Sequence, residues 1–317
     1  MPYLRKAVEL DPDNAGYRKC LGHALIGAER YTDAAKQLRV SVQLKPDDAV
    51  SHYLLGLAIG LSGDHRQSIS EFREAIRLKP QFAQAHGDLA HDLYWHGDNE
   101  EAIQEYRLAL SFPAEPDLGF EGAGAAGIHD GLGQALYKKG DTHSAINEYR
   151  EALRLKPDYA EAHNDLGNAL DDGTGLDSAI EEYRKALRLR PDYPEAHHNL
   201  GATLAEKGDL DGCIREYREA LRLEPENAKR HGDLADALDH KGDFVDAISE
   251  YRIAVSLMPD KALSHFHLGR DLRDTGDTAG ALEELQKASA LDPANPMYSK
   301  AVKDLQEKIK MKCQPDV

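Results

Sequence analysis

The chain has 317 residues, 30% of them charged, and a formal net charge of −17. An acidic balance of this size excludes a surface built to hold nucleic acid or an anionic membrane, since both need a basic face. Cys20, Cys213 and Cys313 are too few and too scattered for a disulfide framework or a zinc site.

Self-similarity at a period of 34 residues organises the chain, and residues 160–193 show it most clearly. With Ala160 as position 1, position 7 is Leu in eight copies, from Leu21 and Leu55 through Leu166 to Leu268. Position 8 is Gly or Ala, position 20 is small, and position 24 is bulky (Leu38, Phe72, Tyr106, Tyr149, Tyr183, Tyr217, Tyr251, Leu285). The leucine at 7 and the apolar residue at 11 share one helical face, and positions 20, 21, 24, 27 and 28 form a second stripe of the same period. Each unit therefore reads as two helices that bury their stripes on each other, with small residues letting the backbones approach. A Gly-Asp step such as Gly97-Asp98 ends the first helix and opens the second, and Leu-x-Pro ends the second.

In chain order, residues 1–14 read as a second helix whose first helix is missing, so the N-terminus reads as truncated. Repeats 1–3 occupy 15–113. Between Pro80 and Pro157 the frame slips by nine residues, which places a Gly-, Ala- and Pro-rich insertion loop at 114–125. Repeats 4–8 follow over 126–295, with an irregular turn at Asp172-Gly173-Thr174-Gly175, and 296–317 reads as a Lys-rich capping helix with a short tail. No run reaches transmembrane length and the first residues carry no signal-peptide pattern, so the expected location is cytoplasmic.

The period, the helix–turn–helix design and the small, large and proline positions together resemble the tetratricopeptide repeat (TPR) over almost the full chain. The phrasing Ala-His-Asn-Asp-Leu-Gly-Asn-Ala-Leu is similar to the arrays ahead of O-linked N-acetylglucosamine transferases, but of their position-6 asparagines only Asn199 is present. The resemblance implies an all-α, right-handed TPR solenoid (superhelix) of about eight helix–turn–helix repeats with an extra helix at each end. The family's usual aromatic at position 4 is replaced seven times by His (His52, His86, His129, His163, His197, His231, His265), which read as structural or surface histidines.

No catalytic signature emerges. There is no His-Glu-x-x-His, the insertion lacks a Gly-Lys-Ser/Thr phosphate loop, and Asp171–Glu182 puts Gly173 and Gly175 where calcium ligands belong. No cofactor and no metal ion are expected. In the family, positions 2, 5, 9, 12 and 13 line a concave groove. The resemblance thus implies a non-catalytic scaffold holding a peptide or protein segment. Its anchors would be Tyr53, Leu57, Tyr94, Trp95 and Tyr137, and its polar end Asn164, Asn168, Asp171, Asp172 and His198. A partner with basic and apolar residues would suit such a surface. Two alternatives stay open: a substrate-recruiting arm of a larger, glycosyltransferase-like enzyme, and self-association into a homo-oligomer through the incomplete N-terminal repeat.

Overall fold

The computed structural model describes residues 1–113, 124–172 and 175–312. Among them are eighteen α-helices and no strand. They fall into two compact units, Met1–Ala169 and Leu170–Val317. Unit 1 contains α1 (Pro2–Leu10), α2 (Ala15–Ile26), α3 (Tyr31–Leu44), α4 (Ala49–Gly60), α5 (His65–Leu78), α6 (Ala83–His96), α7 (Asn99–Ser111), α8 (Ala125–Lys138), α9 (Thr142–Leu155) and most of α10 (Ala160–Asp171). Unit 2 continues with α11 (Leu176–Leu189), α12 (Pro194–Glu206), α13 (Leu210–Leu223), α14 (Ala228–Lys241), α15 (Phe244–Leu257), α16 (Ala262–Asp274), α17 (Thr278–Leu291) and α18 (Pro296–Lys312). Of the insertion expected at 114–125, residues 114–123 lie outside the described residues, as do Gly173, Thr174 and 313–317.

Helices pair as the stripes require. In unit 1, α2 packs on α3, α4 on α5, α6 on α7 and α8 on α9, and each second helix then packs on the first helix of the next pair. Unit 2 repeats the scheme with α12 and α13, α14 and α15, and α16 and α17. The leucine at position 7 and the bulky residue at position 24 are buried in every copy, each such side chain contributing about 1.5–3 kcal/mol. At two copies of position 8 the glycine lets the bulky ring sit closest: a Cβ on Gly133 would come within 2.7 Å of the Tyr149 ring, and one on Gly201 within 2.6 Å of Tyr217, where Ala90 and Ala235 stand in other repeats.

The turns follow the Gly-Asp step. Gly97 (φ 99°) and Gly242 (φ 89°) cap their helices in the left-handed conformation, which costs glycine nothing and other residues strain. The aspartate that follows caps the next helix in several repeats: Asp64 accepts from the Gln67 N–H at 3.0 Å and Asp209 from the Gly212 N–H at 2.9 Å.

The position-4 histidines are fasteners. In unit 1, Nδ1 lies 2.7 Å from Glu71 for His52, 2.5 Å from Glu105 for His86 and 2.6 Å from Glu148 for His129. In unit 2, His197, His231 and His265 meet Glu216, Glu250 and Glu284 at 2.7, 2.6 and 2.5 Å. Nε2 faces a proline carbonyl six residues back, at 2.9 Å for His86 with Pro80 and 3.0 Å for His197 with Pro191. A carboxylate and a carbonyl only accept, so the rings of His86 and His197, bonded to both, each supply two N–H groups and carry charge. Burial alone would lower the basicity of His86 and His197. Their glutamate and proline hydrogen bonds outweigh it, and both are raised above the usual histidine value.

Candidate functional site

Within unit 1, Tyr94 and Trp95 close the last turn of α6. Trp95 is 66% exposed, its ring meeting Tyr94 edge-on at 5.9 Å and its Nε1–H donating to Nε2 of His91 at 3.1 Å. Tyr94 is half-buried and carries the Lys138 ammonium 4.8 Å from its ring centroid. Leu57 and Tyr137 are part-exposed, on α4 and α8. Leu61, just after α4, is exposed.

Two expected groove residues sit deeper than the sequence suggests. Tyr53 is 0% exposed. Its ring packs 4.8 Å from Phe82 and 6.0 Å from Phe72, and its hydroxyl donates to Asp88 at 2.9 Å, so it backs the surface and presents nothing to a partner. Asn164 is also buried, with its Nδ2 donating to Asp165 at 3.1 Å. Asn168, one turn on, is part-exposed.

Behind the aromatics lies a set of carboxylates that sequence reasoning passed over. Burial pushes Asp88 up to about 6 in spite of the Tyr53 hydrogen bond. Burial, reinforced by the charges of Asp165 and Glu161, pushes Asp130 up to about 8. Asp165 is raised too, chiefly by burial. Asp92 goes the other way: burial alone would raise it, but hydrogen bonds from His91, Ser68 and His65 hold it below the ordinary range. In sequence these acids look like any solvated helical aspartate. Tyrosines of neighbouring helices feel these charges: burial, then Asp88 and Asp130, raise Tyr106, and burial, then Asp165 and Asp130, raise Tyr149.

Unit 2 presents a different surface. Asp171 is half-buried and raised by burial, and Asp172 is exposed. The His198 ring stacks on Tyr217 at 5.1 Å, and burial followed by the charges of Arg230 and Lys229 lowers it to about 4. It is therefore neutral at pH 7, and at 3.7 Å from Asp233 it makes no ion pair. Other acids here find partners: Asp236 accepts from Tyr251 and lies 2.8 Å from His267 Nδ1, and the Arg270 guanidinium donates to Asp239 and Asp271. Among the described residues no group of three or more His, Cys, Asp and Glu is arranged to hold a metal ion, and no helix is long and apolar enough to cross a membrane.

Paired helices with a small-for-large exchange at every crossing define a helical-repeat protein. Models of the tetratricopeptide repeat match residues 53–117, 133–171, 176–208 and 194–227, and the chain belongs to the tetratricopeptide-repeat family. No curated protein matches it significantly. Among solved structures, a chain of the APC/C hetero-tetramer Cut9-Hcn1 is 20% identical, with a TM-score of 0.65 over 85% of this chain and 51% of that one. The C-terminal part of a TPR repeat-containing protein from Cytophaga hutchinsonii is 15% identical, with a TM-score of 0.61 over 79% of this chain and 99% of that one. A MamA double mutant is 22% identical, with a TM-score of 0.51 over 53% of this chain and 95% of that one. At these identities the likeness is one of fold, and the chain spans about half the length of the first of these. Tetratricopeptide repeats of this kind typically serve as non-catalytic scaffolds for protein interaction.

Proposed function

We propose that unit 1 binds a peptide segment of a partner protein on the face carrying Leu57, Tyr94, Trp95 and Tyr137. The observation that supports it most is the exposed Trp95, held edge-on by Tyr94 and hydrogen-bonded to His91 while it contributes little to the core. Preordered aromatics of this kind give large contact area at low entropic cost and are common binding anchors. Unit 2 is proposed separately to offer polar contacts through Asp171, Asp172 and the neutral ring of His198. Asn164 and Asn168 belong to unit 1, where the buried Asn164 orients Asp165 and Asn168 can meet a partner directly.

The test is capture from native lysate by the wild-type chain and by a Tyr94→Ala/Trp95→Ala double variant, with mass spectrometry of what is held. A partner held by the first and lost by the second supports the reading, provided the melting temperature is unchanged. Equal retention by both places the contact elsewhere.

A second reading, self-association, is favoured by α1. It buries no residue, and Tyr3 and Leu10 are 90% and 75% exposed. Sedimentation velocity of the wild type against a Tyr3→Glu/Leu10→Glu variant separates the two: a dimer that dissociates in the variant supports it, and a monomer throughout rejects it.

A further inference from the structure

One ion pair recurs between successive repeats. Glu100 of α7 meets Lys139 at 2.9 Å, Asp211 of α13 meets Lys241 at 2.8 Å, and Asp177 of α11 meets Lys207. Each acid is the second residue of its helix, and each lysine stands where the first helix of the following repeat ends. At one crossing of unit 1 the sign is reversed. The second residue of α5 is Arg66, and the residue that ends α6 is His96. Arg66 is exposed and makes no ion pair among the described residues.

Two of these crossings border a pocket built from the same parts. In unit 2 the lining includes Arg184, Lys207 and Asp209, with Asp177 and Glu181 as its further acids. In unit 1 a cavity of about 330 Å³ lies between α5 and the turn from α6 to α7. Arg73, His96 and Asp98 hold the three equivalent places there, and Arg66 and Ser70 stand where Asp177 and Glu181 stand in the other. A guanidinium and a hydroxyl have thus replaced two carboxylates. The acids that remain are directed at other groups: Asp98 lies 3.1 Å from His96 Nδ1, and Glu101 takes one N–H of Arg73 at 2.7 Å. A guanidinium has five such donors, so Arg73 keeps most of its capacity. Arg66, Ser70 and Arg73 follow one another at four and three residues, which puts them on one face of α5.

That face suits a compact anion with several acceptor oxygens. One carboxylate would occupy Arg66 alone, whereas a phosphate group can accept from both guanidiniums and from the hydroxyl between them. The net charge of −17 on the whole chain repels an extended polyanion and leaves room only for a localised charge.

We propose that the pocket lined by Arg66, Ser70, Arg73 and His96 binds the phosphate group of a phosphorylated serine or threonine side chain on a partner polypeptide. None of Leu57, Tyr94, Trp95 and Tyr137 lines it, so the inference goes beyond the reading of the aromatic face and does not depend on it.

The experiment uses the full chain and four probes, N-acetyl-phosphoserine amide, N-acetyl-serine amide, N-acetyl-glutamate amide and inorganic phosphate, with backbone amide shifts followed by NMR. The expected result is a saturable response at α5 and the turn from α6 to α7 for the phosphoserine probe. The serine probe should give none, and the glutamate probe should bind more weakly. Arg66→Gln should weaken phosphoserine binding by about tenfold, in keeping with the loss of one charge-assisted contact, and Arg66→Glu should abolish it, both at unchanged helicity. Asp177→Arg/Glu181→Ser, which copies the reversed lining into the equivalent pocket of unit 2, should add a second saturable site. Glutamate binding equal to that of phosphoserine, a shift that does not saturate, or undiminished binding by Arg66→Gln overturns the proposal. So does a response to inorganic phosphate with none to phosphoserine, which would make the ligand a free anion and not a partner's side chain.

Discussion

His197 and Glu216 stand nineteen residues apart and meet across two helices at 2.7 Å, while the other ring nitrogen of His197 rests 3.0 Å from the Pro191 carbonyl. Because the ring is raised above its ordinary value of 6.5, the folded chain binds this proton more tightly than the unfolded chain does. The stability it contributes is fully present below pH 6.5 and is lost as pH climbs through the raised value. The expected outcome is a melting temperature, read by circular dichroism, that declines as pH rises above 6.5. His197→Gln should lower stability at pH 6 by about 1–3 kcal/mol and flatten part of that slope. A slope identical in variant and wild type contradicts a charged clasp.

Asp130 carries the same sign with a different cause. Burial keeps it protonated in the fold up to about pH 8, against 3.8 for an ordinary aspartate, so its contribution is complete below 3.8 and lost through about 8. Asp130→Asn, which copies the neutral form, should therefore stabilise the chain by on the order of 1–3 kcal/mol at pH 8 in urea unfolding, with the gain shrinking towards pH 4. A variant less stable than the wild type at pH 8 would refute the buried-acid assignment.

Two glycines should respond to the same change in opposite directions. A methyl on Gly133 runs into the Tyr149 ring at 2.7 Å, so Gly133→Ala should cost about 1–3 kcal/mol. Gly232, in the middle of α14, has nothing within 4 Å of the new methyl. There the intrinsic helix preference decides, and Gly232→Ala should gain about 0.5–1 kcal/mol. Urea titrations of both variants check the pair, and a gain at Gly133 would mean that the two helices do not approach through that residue.

The position-7 leucines are core in the ordinary sense. Leu166→Ala should cost about 2–5 kcal/mol, because the cavity it leaves is walled by packed helices. Trp95→Ala, by contrast, should change stability by less than about 0.5 kcal/mol. Thermal unfolding of both variants decides this: a large loss at Trp95 assigns that ring to the stack and removes it from any binding surface.

Much of this was legible in the residues. The leucine, glycine and tyrosine periods specify the helix pairs, and the Gly-Asp step specifies the turns, because each depends only on neighbours within a few residues. Depth was not legible in the same way. Tyr53 and Leu57 lie four apart on one helical face, yet Phe72 and Phe82 cover the first while the second stays part-exposed. Asp130 looks like a surface acid in the sequence, yet it is 4% exposed, while Asp165 stays part-exposed. The clasp, however, was in plain view: a glutamate follows each position-4 histidine by nineteen residues, from His52 and Glu71 to His265 and Glu284. A search along position 4 alone misses it, since the partner lies on the second helix.

The reach of that clasp bears on how the chain acquires its structure. It extends six residues back and nineteen forward, so it closes within a stretch shorter than one 34-residue period and does not wait for distant segments to meet. Interactions of such short sequence range keep contact order low and favour fast folding that can begin at any repeat. The same locality makes the gene tolerant of rearrangement, because an in-register duplication or deletion of 34 residues leaves the remaining histidines with their own glutamates.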